Sequence, residues 1–92
     1  MVRFIIEDEI HCETQGEFDS FADALNELQS RAALPWDAEP NRAPCQSWRT
    51  CGREYEIIEY DRTAQRDIRR IPALRISASG VTWLLDREPW QV

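Results

Sequence analysis

The sequence predicts an α+β domain, in which one amphipathic helix packs on an antiparallel sheet of four to five strands in the order β-α-(β)β-β-β. Three patterns support this prediction: alternating polarity in residues 2–13, a helical apolar stripe in residues 19–33, and an alternating pair of segments within 74–85. Strands that follow one another after a helix fit antiparallel pairing better than repeated βαβ crossovers. The length of 92 residues corresponds to one domain, residues 1–92.

The first strand is predicted over residues 2–13, where apolar side chains of one parity alternate with acidic side chains of the other. Asp8 falls on the apolar parity and Ile5 on the polar one, so a bulge or bend is expected near Glu7–Glu9. Gly16 is then expected to mark a turn. The sequence leaves open whether this strand lies centrally or at an edge.

Residues 19–33 are predicted to form the helix because their apolar residues recur at spacings of three and four. The stripe consists of Phe18, Phe21, Ala22, Leu25, Leu28 and Ala32. Ser20, followed three residues later by Asp23, resembles a capping box, and Asp19 is an alternative cap. Glu27 and Arg31 have the spacing of a favourable ion pair on a helix surface.

The segment after the helix, residues 34–46, is expected to be a long loop because it carries three prolines and no apolar period. Residues 47–60 are rich in strand-forming side chains and allow two interpretations. They form either one long bulged strand or, as we slightly favour, a hairpin that turns at Cys51–Gly52. Both interpretations predict a strand over residues 53–60.

Residues 62–70 are polar and are expected to form a loop or a single helical turn. The last predicted unit is a hairpin within residues 74–85, since alternating segments flank Ala78-Ser79-Gly80. Gly80 suits a turn position with a positive φ angle. The tail after residue 85 is expected to be irregular.

The charge distribution restricts the class of partner. The net charge is −6, and residues 1–40 hold ten acidic residues against two arginines, whereas residues 41–92 hold nine arginines against seven acidic residues. Nucleic-acid binding needs a basic surface, so it is not expected. A basic protein partner is compatible with this charge. No apolar segment is long enough for a membrane span or a signal peptide, so a cytoplasmic protein with reduced thiols is predicted.

The cysteines offer a possible reactive site. Cys45 and Cys51 are six residues apart, which matches no CxxC redox or zinc pattern. Buried structural cysteines are the favoured interpretation, because free cysteine is among the most buried residue types. The alternative is a thiol-dependent small enzyme or redox protein centred on Cys45 and Cys51, with a depressed thiolate pKa.

His11 is the only histidine, and on the predicted strand it lies between Glu9 and Glu13 on one face. Such a row could bind a divalent cation, which makes a metal-binding module an alternative function. A solvated outer face of a sheet has the same composition and is the favoured interpretation. No cofactor and no metal site are therefore predicted.

Exposed aromatic and polar residues around the proline-rich loop indicate a binding surface. Tryptophan and arginine are the residues that dominate protein interfaces, although tryptophan beside proline also seals the edge of a core. The candidate partner-binding residues are Trp36, Asn41, Arg42, Trp48 and Trp90, with Asn41-Arg42 as the expected exposed tip of the loop. Residues 35–51 are thus the predicted functional surface.

These observations favour a small acidic non-enzymatic module that binds a protein partner, as a regulatory, inhibitor or immunity/antitoxin-type protein, in a monomeric or weakly dimeric state. A single histidine and the lack of a nucleophile or phosphate-binding motif make an enzyme the less favoured class. The segment Cys51–Ile57, CGREYEI, resembles part of a bacterial protein family, a resemblance that implies no particular activity.

Overall fold

The computed structural model describes residues 1–44 and 51–85. One helix packs on a five-stranded antiparallel sheet, which confirms the predicted α+β class. The elements in chain order are β1 (Val2–Asp8), β2 (Glu13–Phe18), α1 (Phe21–Ala32), β3 (Arg53–Asp61), β4 (Arg66–Ser77) and β5 (Gly80–Trp83). The helix is too short to cross a membrane, and no other helix occurs in the described segments.

The strand order is β2-β1-β3-β4-β5, so the N-terminal strand lies inside the sheet. Ile6 of β1 pairs with Ile57 of β3, and Ile5 pairs with Ile58. Paired residues point to the same face, so Ile6 and Ile57 lie on the face that α1 covers while Ile5 and Ile58 lie on the outer face. The core on the helix side is formed by Ile6, Ala24, Leu28, Tyr55, Ile57, Ala73, Leu74 and Ile76.

The predicted helix is confirmed, with ends one to two residues inside the predicted range. Ser20 is the N-cap, and its hydroxyl accepts a hydrogen bond from the backbone N–H of Asp23 at 3.1 Å. The predicted ion pair also forms, with Nε of Arg31 2.7 Å from Oε2 of Glu27. The apolar stripe buries Leu28 completely against the sheet.

The prediction of a strand over residues 2–13 is wrong beyond Asp8. Residues 9–12 form a turn, which leads into β2, and Cys12 adopts a left-handed φ of 55°. The side chain of Asp8 accepts a hydrogen bond from the N–H of Ile10 at 3.1 Å, as aspartate commonly does in turns. Gly16 is consequently inside β2 and does not form the turn that its residue type suggested.

The second wrong prediction concerns residues 62–70, because the loop covers only residues 62–65 and β4 begins at Arg66. The carboxylate of Asp61 accepts the N–H groups of Ala64 and Thr63, and the Ala64 bond in particular lowers the pKa of Asp61. This turn connects β3 to β4. Residues 66–70 pair with β3 and are therefore a strand. Their polar composition reflects their exposure to solvent.

The C-terminal hairpin is confirmed by the pairing of Leu74 with Trp83, and Gly80 has a φ of 125°. The strand predicted after Gly52 is also present as β3. Residues 45–50, which would form the other arm of the favoured hairpin, lie outside the described residues, as does the tail after residue 85.

Gly52 lies directly against the backbone of β4, and this contact yields a testable prediction. A Cβ atom at position 52 would come 2.6 Å from the carbonyl oxygen of Ile76, a backbone atom that cannot move away easily. We expect Gly52→Ala to lower the free energy of unfolding by about 1–3 kcal/mol, as overpacking does. Urea denaturation followed by circular dichroism measures this change. Ser79→Ala, in the exposed turn, is the control, and an equal effect of both substitutions would contradict the contact.

Candidate functional site

Asn41 is buried, so its predicted role as an exposed loop tip is wrong. Its side chain is 1% exposed, and its Nδ2 group donates to the carbonyl oxygens of Arg31, Leu34 and Pro35 at 2.8, 3.3 and 3.3 Å. Oδ1 of Asn41 accepts the hydroxyl of Tyr55 at 3.0 Å. Carbonyl groups at the end of a helix have no partner within the helix. Asn41 supplies that partner and thereby fastens the loop to α1.

The other candidate residues of the loop differ in how far they are exposed to a partner. Trp36 is partly buried and packs against the core, so much of its ring is not available to a partner. The side chain of Arg42 is 49% exposed, and its carbonyl oxygen accepts Nη2 of Arg53 at 2.9 Å. Trp48, Trp90 and Cys45 lie outside the described residues. Within residues 34–44, Arg42 is therefore the exposed member of the predicted set.

The cysteines differ in state. Cys51 is bonded in a disulfide, and Cys12 is a free, exposed thiol in the turn after β1. The prediction of reduced thiols is therefore wrong for Cys51, and the alternative of a thiolate nucleophile would require this disulfide to be reduced first. Cys12 was not among the predicted site residues.

Asp8 is the centre of a buried polar network at one end of the core. Its side chain is fully buried, and each carboxylate oxygen accepts two hydrogen bonds. Oδ1 accepts the backbone N–H groups of Ile10 and Glu54 at 3.1 and 3.3 Å. Oδ2 lies 2.7 Å from Nδ1 of His11 and 2.8 Å from Nη1 of Arg53. All the acceptor positions of this carboxylate are used, which is how a buried charge is kept stable.

Arg53 connects this network to the loop. Nη1 also donates to Oε1 of Glu13 at 2.7 Å, whereas Nε has no hydrogen-bond partner among the described residues. Burial acts to lower the pKa of Arg53, but the hydrogen bonds to Glu13 and Asp8 outweigh it, so the pKa is raised and the guanidinium stays charged. The ion pair thus joins β1, β2, β3 and the loop carbonyl of Arg42.

His11 does not lie in the predicted row with Glu9 and Glu13. It is in the turn after β1 and contacts Asp8, while Glu13 binds Arg53. Within residues 1–44 and 51–85, no three potential ligand side chains are grouped around a metal position. The His11–Asp8 contact is therefore best explained as part of the structural network.

A groove of about 360 Å³ lies between α1 and the end of β2. The sequence did not predict this groove. The helix contributes an exposed ridge to one wall, and the end of β2 with its neighbouring residues contributes the opposite wall. The ridge consists of Asp23, Asn26, Glu27 and Ser30, and the opposite wall consists of Arg3, Glu17, Phe18 and Asp19. The four-residue spacing of Asp23 and Glu27 on the helix could have indicated an acidic surface. Helix capping and the ion pair with Arg31 were sufficient to explain these two residues, so the spacing did not predict the groove.

The groove has a negative lining, with four carboxylates and one guanidinium. Arg3 contacts Glu17, with Nε 2.6 Å from Oε2, and also Asp19, whose side chain remains 85% exposed. Glu27 is paired with Arg31. Asp23 is exposed and forms no ion pair with any described residue. Asp23, near the start of the helix, is therefore the lining carboxylate that has no ion pair among the described residues, while Asp19 stays largely exposed beside Arg3.

The position of the groove follows from the register of β2. Glu17 pairs with Ile5 and therefore points to the outer face, whereas α1 packs on the opposite face against Ile6. A groove lined by both Glu17 and the helix must pass the free edge of β2. Strand β2 is the last strand on that side of the described sheet. The groove thus lies between an edge strand and a helix.

Comparison with protein families, with curated proteins and with solved structures finds no match for this chain. No relative's function bears on the groove or on the Asp8 network.

Proposed function

We propose that this chain is a non-enzymatic protein-binding module, which holds a basic segment of a partner protein in the groove between β2 and α1. The observation that carries the proposal is the negative groove beside a strand edge. The proposal keeps the class of function that the sequence favours, and it transfers the binding surface from the loop at residues 35–51 to the groove.

Electrostatics favours a cationic partner. Asp19 is 85% exposed, and Asp23 is exposed without an ion pair among the described residues, so both can accept hydrogen bonds from arginine or lysine. Glu17 and Glu27 lie on opposite walls and extend the negative potential along the groove. Four carboxylates against the single guanidinium of Arg3 leave the described lining with an excess of negative charge, which attracts cationic groups.

The shape and polarity of the groove favour a protein segment over a small apolar ligand. Small-molecule pockets are mainly lined by apolar and aromatic side chains. Here Phe18 is the one apolar residue in the lining, and the groove is open to solvent along the helix ridge. Single contacts of exposed charges contribute about 0.2–1 kcal/mol each, so useful affinity requires several contacts along a chain.

The loop has a different role in this proposal. Asn41 and the carbonyl of Arg42 fasten residues 34–44 to the helix end and to Arg53. The side chain of Arg42 is exposed but contacts Glu39, with Nη2 3.4 Å from Oε1. A pre-organised loop remains a second surface that a partner could contact, and the experiment below separates it from the groove.

The test uses a fluorescent peptide with alternating arginine and valine, and its analogue with glutamate in place of arginine. We expect saturable binding of the basic peptide alone, weakened by added salt. The variant with Asp19→Asn and Asp23→Asn should bind about tenfold more weakly, because two contacts of roughly 0.7 kcal/mol are lost. Fluorescence anisotropy measures both affinities.

The matched control variant carries Asp37→Asn and Glu39→Gln, which change the net charge equally but lie in the exposed loop. It should bind the basic peptide as tightly as the original chain does. Equal losses in both variants would show non-specific attraction and would contradict the proposal. A loss in the loop variant alone would assign the site to the loop, and no binding of the basic peptide would reject the function.

A further inference from the structure

We infer that the bound segment is extended and adds as a sixth strand, in antiparallel or parallel orientation, to the edge of β2 that pairs with none of the described strands. This inference rests on the proposed function and specifies how the basic segment is held. An edge strand presents backbone N–H and C=O groups that have no partner on one side. Peptides that add to such an edge gain affinity from the backbone and specificity from alternate side chains.

The available part of the edge is short and well defined. Strand β2 pairs with β1 from Glu13 to Phe18, and none of the described strands lies on its other side. Near its start, Nη2 of Arg31 donates to the carbonyl oxygen of Gln15 at 3.3 Å and covers the edge there. The positions beside the groove are therefore residues 16–18. Three residues span roughly 10 Å, which suits a short peptide strand.

Edge strands of natural proteins are commonly protected by proline, by lysine or by a covering segment. Residues 16–18 contain no proline, and the helix ridge at Asp23 and Glu27 lines the groove beside them without closing it. The longer strand β4, by contrast, carries Pro72 and four arginines along its course. The edge of β2 is thus less protected than the part of β4 that extends beyond its pairing with β5.

Charge identifies the occupant as a basic segment and argues against a second copy of this chain. Two β2 edges paired antiparallel about Glu17 would bring Glu17 of one chain directly opposite Glu17 of the other, and like charges on paired strands are destabilising. An arginine-rich strand replaces this repulsion with attraction. The partner is therefore a protein with an extended segment that carries arginine or lysine at alternate positions.

The alternate spacing of basic residues in the partner segment follows from the two walls of the groove. Side chains of an added strand point alternately to the helix face and to the outer face of the sheet. Those on the helix face meet Asp23 and Glu27, and those on the outer face meet Glu17, which is partly neutralised by Arg3. The helix face is therefore the stronger site for cationic side chains, and basic residues spaced by two positions fit it best.

The experiment compares the alternating arginine–valine peptide with two N-methylated forms, in which the backbone amides of odd or of even residues are blocked. We expect one form to lose about tenfold or more in affinity, since its blocked amides face β2, and the other to stay within about twofold. Amide hydrogen exchange in residues 16–18 should slow when the unmodified peptide is bound. Neither peptide form alters the folding of the protein.

Similar affinities of all three peptides would overturn the inference, because the side chains alone would then hold the segment. Equal losses in both methylated forms would also overturn it and would indicate another bound conformation. In both cases the unmodified peptide still binds, so the proposed function stands. Absence of binding by the unmodified peptide removes the proposed function itself. A concentration-dependent dimer of the free chain that protects residues 16–18 would assign the edge to a second copy and overturn the inference.

Discussion

Replacement of Asp8 by alanine is expected to lower the free energy of unfolding by about 3–5 kcal/mol, which is the cost of leaving a buried charge without its partner. Arg53 is 6% exposed, its Nε has no partner among the described residues, and the substitution would remove one of its two carboxylate partners. The N–H groups of Ile10 and Glu54 would lose their acceptor as well. Folded domains have only about 5–15 kcal/mol of stability, so this variant should be close to unfolding. Urea denaturation monitored by circular dichroism measures the change.

Two further variants separate a buried charge from a surface ion pair. Asp67→Ala removes an exposed partner of Arg70, and its effect should stay below about 1 kcal/mol. The double variant Asp8→Ala with Arg53→Met removes both charges and should recover part of the stability lost in Asp8→Ala. If Asp8→Ala costs no more than Asp67→Ala, the network does not contribute as its geometry indicates.

Asn41→Ala should lower the free energy of unfolding by about 2–4 kcal/mol, because it removes four hydrogen bonds, each of which contributes roughly 0.5–1.5 kcal/mol before some relaxation. In three of these bonds Nδ2 of Asn41 donates to the carbonyl oxygens of Arg31, Leu34 and Pro35. In the fourth, Oδ1 of Asn41 accepts the hydroxyl of Tyr55. Faster hydrogen exchange in residues 34–44 should accompany the loss. Chemical denaturation and exchange mass spectrometry measure both effects.

Tyr55→Phe tests the same connection with a smaller change. It removes one of the four bonds and should cost about 1 kcal/mol. Asn26→Ala, on the exposed ridge of α1, is the control for the residue type and should change stability by no more than about 0.5 kcal/mol. Unchanged exchange in the loop of Asn41→Ala would show that other contacts hold residues 34–44 in place.

Local patterns predicted the regular parts of the fold. The spacing of apolar residues in α1 and the Ser20 cap are properties of a few adjacent residues, so the sequence is sufficient to identify them. The hairpin around Gly80 is predictable for the same reason. Strand β4 was partly missed because residues 66–70 are exposed on a sheet margin, where neighbouring strands and not apolar alternation determine the conformation.

The buried polar residues required tertiary information. Asp8 did show a signal, since it interrupted the apolar parity of the first strand, but its partner Arg53 is 45 residues away in the chain. Asn41 is a residue type that is common in exposed turns. Only the packed structure shows that its amide binds the carbonyl groups at the end of α1. The groove depends on the register that points Glu17 away from α1, and register cannot be assigned until strands are paired.

The interior position of β1 has a consequence for the order of folding. Its two neighbours differ greatly in sequence distance, because β2 follows at once while β3 pairs Val2 with Asp61. A newly made chain of residues 1–44 can form the β1–β2 hairpin and α1, yet one margin of β1 would lack its neighbouring strand, and Asp8 would lack its contacts with Arg53 and the N–H of Glu54. Contacts between distant segments form slowly because a long loop must close first. Docking of β3 on β1 therefore covers the open margin of β1 and brings Arg53 to Asp8 at the same time.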